Sequence, residues 1–209
     1  MECDAKIPDP EPPENQVENQ PPLRAADLRL AAARPVTLVG LMGAGKTTVG
    51  RRLAARLRLP FVDADAEIEI ASGMSISEIF GKFGEAHFRD GERRVIARLI
   101  DGAPKVIATG GGAFIQDDTR ALILARTLAV WLDADIATLV ERVRRRNNRP
   151  LLTGRDPGTV LAELAAVRDP IYAQAPIRIP SKSTPHGDTV AAIIIALIAA
   201  NRPLESPVA

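Results

Sequence analysis

The stretch GLMGAGKT at residues 40–47 constrains this chain more than any other feature. It fits G-x-x-x-x-G-K-[ST] and stands between two runs of different periodicity. Before it, VTLVG (36–40) is apolar at successive positions, the pattern of a parallel strand covered on both faces. After it, Val49, Leu53 and Leu57 fall four apart on one helical face, with arginines on the other. Strand, glycine loop and helix in that order distinguish a phosphate-binding loop from a chance match. The glycines let backbone N–H groups wrap phosphate oxygens, and the start of the helix adds positive potential. The expected ATP contacts are therefore Gly43, Ala44, Gly45, Lys46, Thr47 and Thr48. Lys46 would reach the β- and γ-phosphates, and the Thr47 hydroxyl would ligate Mg²⁺.

The rest of the chain repeats the alternation. Short strands are expected at 61–63, within KVIATGGG (105–112), within TLAVWLDA (127–134) and at 177–179. Ser75 and Glu78 have capping-box spacing for one helix, and a longer helix is expected from about 85 to 100, where Phe88, Val95, Ile96 and Leu99 share a face. Asp135 is placed to cap the helix ATLVERVRR, and Asp156-Pro157 to open one that ends near Arg168. The apolar run at 190–200 is too short for a bilayer, which takes about 20 residues, and reads as a buried helix. Alternating strands and helices imply an α/β fold with a parallel sheet, and ligands at the carboxyl ends of its strands.

Composition narrows the function classes. A net charge of +1 over 209 residues argues against non-specific nucleic-acid binding. A single cysteine, Cys3, excludes a disulfide framework and a thiolate metal cluster, which fits a reducing, cytoplasmic setting. Residues 1–30 are expected to be a disordered extension, acidic and proline-rich at its start, and 31–209 a single domain. No membrane partner is expected.

Several side chains then stand out near the strand ends. Asp63 and Asp65 follow the second strand, so both carboxylates are expected at the sheet edge near the phosphates. One would assist Mg²⁺ and the other would orient or deprotonate an acceptor hydroxyl. On its own this pair is also read as a helix cap, since IEI follows. Arg89 and Glu92 lie three apart on a helical face, a spacing that more commonly makes a surface ion pair. Gly110, Gly111 and Gly112 remove every side chain from a strand end, so that a ligand could approach the backbone. Arg149, in the charged segment 144–158, and Arg168 are further candidate anion contacts. His87 and His186 receive no role, and Phe80, Phe88 and Trp131 are expected in the core or lining a pocket.

GLMGAGKTT, DAD (63–65), FRDGE (88–92), GGG (110–112), RPLL (149–152) and RDPIY (168–172) occur in that order over nearly the whole chain after the extension. Taken together this set resembles the shikimate kinases. The resemblance implies a P-loop NTPase fold similar to nucleoside monophosphate kinases, with a five-stranded parallel sheet, a substrate-binding segment at about 63–95 and a lid at about 144–158. It implies ATP and shikimate as substrates, Mg²⁺ held by Thr47 and Asp63, Asp65 acting on the attacking hydroxyl, and a monomer. Arg89 and Arg168 would grip the shikimate carboxylate with Glu92 bracing them, and Gly111 would lend its N–H to shikimate. Lys46 and Arg149 would act on the phosphates, and Arg142 with the segment around Pro185 would sandwich adenine. Two features depart from the simplest pattern: the N-terminal extension, and Gly91, which lowers helix propensity by about 1 kcal/mol and puts the aim of Glu92 in question. A kinase for another hydroxylated acid such as gluconate, and a non-catalytic ATP-binding module, are the competing readings.

Overall fold

The computed structural model describes residues 24–144, 155–181 and 186–202. The residues assigned to the lid at 145–154, including Arg149, and the segment 182–185, including Pro185, lie outside the described residues, as do 1–23 and 203–209.

Strand β1 (Val36–Val39) is buried at every position and forms the middle of a five-stranded sheet. β3 (Val106–Ala108) and β4 (Leu128–Asp133) pair with it in parallel, and β2 (Phe61–Asp63) and β5 (Ile177–Pro180) form the edges, in the order β2-β3-β1-β4-β5. Continuous apolar runs in β1, β3 and β4 follow from this position, because a central parallel strand has no solvent face. β5, at an edge, alternates buried and exposed residues instead. The register sets Leu38 beside Ala108 and Val130, so the loops after β1 and β3 leave the sheet side by side. That is where the strand order switches and where α/β folds open a crevice.

Helices flank the sheet. α2 (Lys46–Leu57) buries Val49, Leu53 and Leu57 as its four-residue spacing requires. It packs with α1 (Ala25–Ala31) and α8 (His186–Asn201). α3 (Ala64–Ser72) follows β2 directly and packs on α4 (Ile76–Ile100), and α5 (Asp117–Arg126) packs on α4 in turn. α6 (Ile136–Arg144) starts where Asp135 accepts the Thr138 N–H at 2.7 Å, the expected cap. α7 (Pro157–Tyr172) opens with Asp156 accepting the Thr159 N–H at 2.9 Å. One apolar core joins residues from Ala31 to Ile198.

Three expectations change. Residues 25–30, expected within the disordered extension, belong to α1; Ala31 is fully buried and Asn201 donates to the Leu30 carbonyl at 3.0 Å. The two helices expected around 75–100 are both present: Gly84, at φ 79° and ψ 175°, breaks the helical path between them, and the pair is described together as α4. α7 does not end at Arg168 but continues through Pro170 to Tyr172, which gives up only the one hydrogen bond that a proline N–H would donate. Phe88 and Trp131 are buried as expected, whereas Phe80 stays partly exposed with its ring centroid 4.5 Å from that of Phe88. α5 has no side-chain cap at its start and packs on β4 and α4, whereas α1 opens with the Arg24 N–H donating to Asp27 Oδ2 at 3.0 Å and packs on α8.

Candidate active site

The phosphate loop is built by backbone that side chains rarely adopt. Gly43 and Gly45 sit at φ 84° and 95°, and Gly45 caps α2 from the left-handed region. A β-carbon would be strained there, which explains glycine at these two positions. Lys46 Nζ donates to the carbonyls of Gly40 at 2.8 Å and Leu41 at 2.9 Å, so the ammonium lies across the mouth of the loop. The first turn of α2 carries no acidic residue, which leaves its N-terminal potential positive.

Thr47 and Asp63 meet although sixteen positions separate them. Thr47 Oγ1 donates to Asp63 Oδ2 at 2.9 Å, and Asp63 Oδ1 accepts the Asp65 N–H at 3.2 Å. Asp63 therefore does both things the sequence allowed: it caps α3 and it turns one oxygen toward the phosphate loop. Among the described residues no group of three or more His, Cys, Asp or Glu could hold a metal.

The triple glycine is the meeting point of the remaining residues. A β-carbon at Gly110 would stand 2.7 Å from Asp65 Oδ1 and 3.2 Å from Glu92 Oε1. One at Gly111 would lie 3.5 Å from the Met42 nitrogen, 3.6 Å from the Gly40 oxygen and 3.8 Å from Arg168 Nη1. One at Gly112 would come within 2.6 Å of both Arg89 Nη1 and Nη2. Three successive residues thus touch an acid, the phosphate loop with one arginine, and a second arginine. A side chain at Gly110 or Gly112 would push these groups away, whereas a β-carbon at Gly111 would meet only ordinary van der Waals contacts, so close approach accounts for the first and third glycines.

Arg89 is held by two carboxylates on its own helix. Its Nη1 donates to Glu92 Oε2 at 2.8 Å, and its Nε and Nη2 donate to Glu85 Oε1 at 3.2 and 3.1 Å. Glu85 is solvated, but the Glu92 side chain is only 1% exposed, so this is not the surface pair that the spacing commonly means. Burial pushes the Glu92 carboxyl above its ordinary range, and the Arg89 guanidinium offsets part of that push. For Arg89, burial opposes the charge, and Glu92 and Glu85 outweigh it, so the guanidinium is more firmly protonated than usual. Gly91 leaves α4 regular, and Glu92 reaches Arg89 without distortion.

Arg142, on α6, reaches back over the phosphate loop. Its Nη1 donates to Ser181 Oγ at 3.0 Å, and more weakly to the carbonyls of Ala44 and Gly43 at 3.3 and 3.4 Å. Burial lowers its affinity for the proton, with Asp135 and Glu141 opposing. Ser181 in turn donates to Ala44 at 3.0 Å and is buried. Sequence reasoning missed Ser181, which stands 137 positions from its acceptor. It also assigned nothing to Tyr172, buried at the end of α7, although the RDPIY segment was in view.

The described residues hold every expected site group except Arg149 and the segment around Pro185. Among them, no helix is long and apolar enough to cross a membrane. The architecture and this convergence of groups agree with comparisons to known proteins. The family model of shikimate kinases matches residues 42–199. The shikimate kinase of Zymomonas mobilis is 57% identical over 164 residues, which cover 78% of this chain and 93% of that protein. That of Caulobacter vibrioides is 57% identical over 171 residues, covering 82% and 86%. Among solved structures, shikimate kinase from Acinetobacter baumannii in complex with shikimate superposes with a TM-score of 0.77 at 38% identity, covering 84% of this chain and 98% of that one. With a phosphate loop on one side of the triple glycine, an acid and two arginines on the other, and relatives of this similarity over nearly their full length, the chain belongs to the shikimate kinase family of ATP-dependent kinases.

Proposed function

We propose that this chain transfers the γ-phosphoryl group of ATP to the 3-hydroxyl of shikimate, giving shikimate 3-phosphate and ADP, with the acceptor bound against Gly110, Gly111 and Gly112. The observation that carries this reading is the triple glycine itself, which borders the phosphate loop at Gly111 and receives Asp65, Arg89 and Arg168 within a few ångströms. An acceptor with a carboxylate at one end and hydroxyls at the other suits that layout, because guanidinium forks match a carboxylate and an aspartate accepts from hydroxyls.

On this reading Gly43, Ala44, Gly45, Lys46, Thr47 and Thr48 hold the ATP phosphates, with Arg142 on the nucleotide side of the loop. Arg89 and Arg168 take the carboxylate, the Gly111 N–H adds a hydrogen bond, and Glu92 keeps Arg89 aimed. Asp65 accepts the proton of the attacking hydroxyl and fixes its line of approach. Positioning and charge neutralisation then supply most of the acceleration. Thr47 Oγ1 and Asp63 Oδ2 are hard oxygen donors 2.9 Å apart beside the loop, a pair that fits Mg²⁺ with its remaining ligands drawn from phosphate and water. When bound, that ion would neutralise charge on the phosphate oxygens. Arg149 would close on the phosphates with the 144–158 segment and exclude water. The enzyme acts as a monomer in the cytoplasm.

A coupled ADP-release assay with shikimate, gluconate and nucleoside monophosphates tests the acceptor. Turnover with shikimate alone is expected, and turnover with gluconate but not shikimate would refute the assignment. The requirement for Arg89, Asp65 and Arg168 together disfavours a non-catalytic ATP-binding module, which has no use for an acceptor clamp.

A further inference from the structure

We propose that Tyr172 is a positioning residue for the acceptor: its hydroxyl holds the Gly111 carbonyl that Arg168 also meets, setting the glycine turn against one arm of the carboxylate clamp. The inference rests on Arg168 belonging to that clamp. Tyr172 is fully buried, and its hydroxyl donates to the Gly111 oxygen. Arg168 Nη1 donates to the same oxygen at 3.4 Å, so phenol and guanidinium converge on one carbonyl.

The ring is fixed from two sides. Its centroid lies 6.3 Å from that of Phe114, nearly parallel at 23°, and 6.0 Å from that of Trp131. Trp131 belongs to β4, pairs with Val39, and would stand 3.3 Å from a β-carbon at Gly40. Tyr172 is thereby wedged between the acceptor turn and the base of the phosphate loop. For packing alone a phenylalanine would serve, and burying a hydroxyl is unfavourable unless it is bonded. What the hydroxyl adds is restraint on the Gly111 carbonyl, between the Gly110 and Gly112 oxygens that accept from the Ala113 and Ile115 N–H groups at 3.3 and 3.1 Å. Three consecutive glycines have no side chain to hold a peptide plane, and they lose more freedom on ordering than any other residue. Because the peptide is trans and planar, fixing the Gly111 carbonyl also fixes the direction of the Gly112 N–H on its far side. The extension of α7 through Pro170 makes this possible, since it sets Arg168 and Tyr172 four apart on one helical face.

The test is Tyr172→Phe in the full chain, measured against Arg168→Ala. Loss of one buried hydrogen bond predicts a rise of about five- to tenfold in the shikimate KM, with the ATP KM and kcat little changed. An unchanged shikimate KM overturns the inference. So does a Tyr172→Phe profile that matches Phe114→Leu, which thins the same cluster and leaves the hydroxyl alone, because the role would then be packing only. If Arg168→Ala leaves the shikimate KM unchanged, the clamp assignment itself fails, and the inference with it. A second measurement keeps the wild-type backbone. Tyr172 is the only tyrosine in the chain, so biosynthetic incorporation of 3-fluorotyrosine labels this position alone. Its fluorine resonance should shift on adding shikimate and stay in place on adding shikimate to Arg168→Ala; a resonance that shikimate does not move in the unmutated clamp refutes the coupling.

Discussion

Replacing Gly112 by alanine would separate close approach from conformational freedom. Gly112 sits at φ −96° and ψ −16°, a conformation open to alanine, so the backbone has no reason to resist. The new methyl, however, would fall 2.6 Å from both terminal nitrogens of Arg89 and 2.8 Å from its Cζ. Ordinary carbon contacts begin near 3.5 Å, so the guanidinium must retreat by about 1 Å. The guanidinium ends a flexible side chain but is bonded to the buried Glu92, so the retreat should cost about 1–3 kcal/mol of stability without preventing folding. Binding should not tolerate it. A charge-assisted hydrogen bond to a carboxylate is worth about 1.5–3 kcal/mol, which converts to a shikimate KM raised roughly ten- to a hundredfold. Asp65 contacts Gly110 rather than Gly112, so kcat and the ATP KM should move much less. The assay is ADP release with shikimate varied at saturating ATP, with thermal unfolding as the control on folding. A folded Gly112→Ala protein with an unchanged shikimate KM would refute both the placement of Arg89 and the close-approach account of Gly112.

Asp65→Asn removes the proton acceptor while keeping shape, and should lower kcat by about 10²–10⁴ with ATP affinity nearly intact; an unaltered kcat would show that the acceptor hydroxyl lies elsewhere. Thr47→Ala and Asp63→Asn each remove one of two oxygens proposed for Mg²⁺, so activity should require more Mg²⁺ for half-saturation, and coincident Mg²⁺ titrations with the wild type would remove the pair from the metal. Burial raises the Tyr172 phenol from 10.0 to about 12, with Arg168 opposing. The folded chain then keeps a proton that the unfolded chain loses, so stability falls as pH rises past about 10 and the loss is complete near 12, at most about 3 kcal/mol. Absorbance titration of this single tyrosine checks the value, and a midpoint at 10 would contradict its burial.

Residues that act through local chain geometry were legible in the sequence. The phosphate loop is a continuous octapeptide whose glycines, lysine and threonine serve one ligand, so spacing alone specified it. Asp135, Asp156 and Ser75 cap helices within three residues of themselves, and local chemistry again sufficed. Continuous apolar runs marked β1, β3 and β4 as central, and the alternation of strands and helices marked the class of fold. Motif order over nearly the whole chain carried the family resemblance.

What only the tertiary structure decided depends on contacts between distant segments. Spacing cannot distinguish a solvated Arg89–Glu92 pair from one with a buried carboxylate; the packing of α3 and α5 on α4 and the closeness of Gly110 make the difference. Ser181 and Tyr172 gain meaning from carbonyls 137 and 61 positions away, distances over which no local pattern operates. The phosphate loop by itself names ATP and no acceptor. It is the parallel register of β1 with β3 that brings the triple glycine beside that loop and sets Asp65, Arg89 and Arg168 around it, because side-by-side strands deliver their C-terminal loops to one edge whatever their separation in sequence.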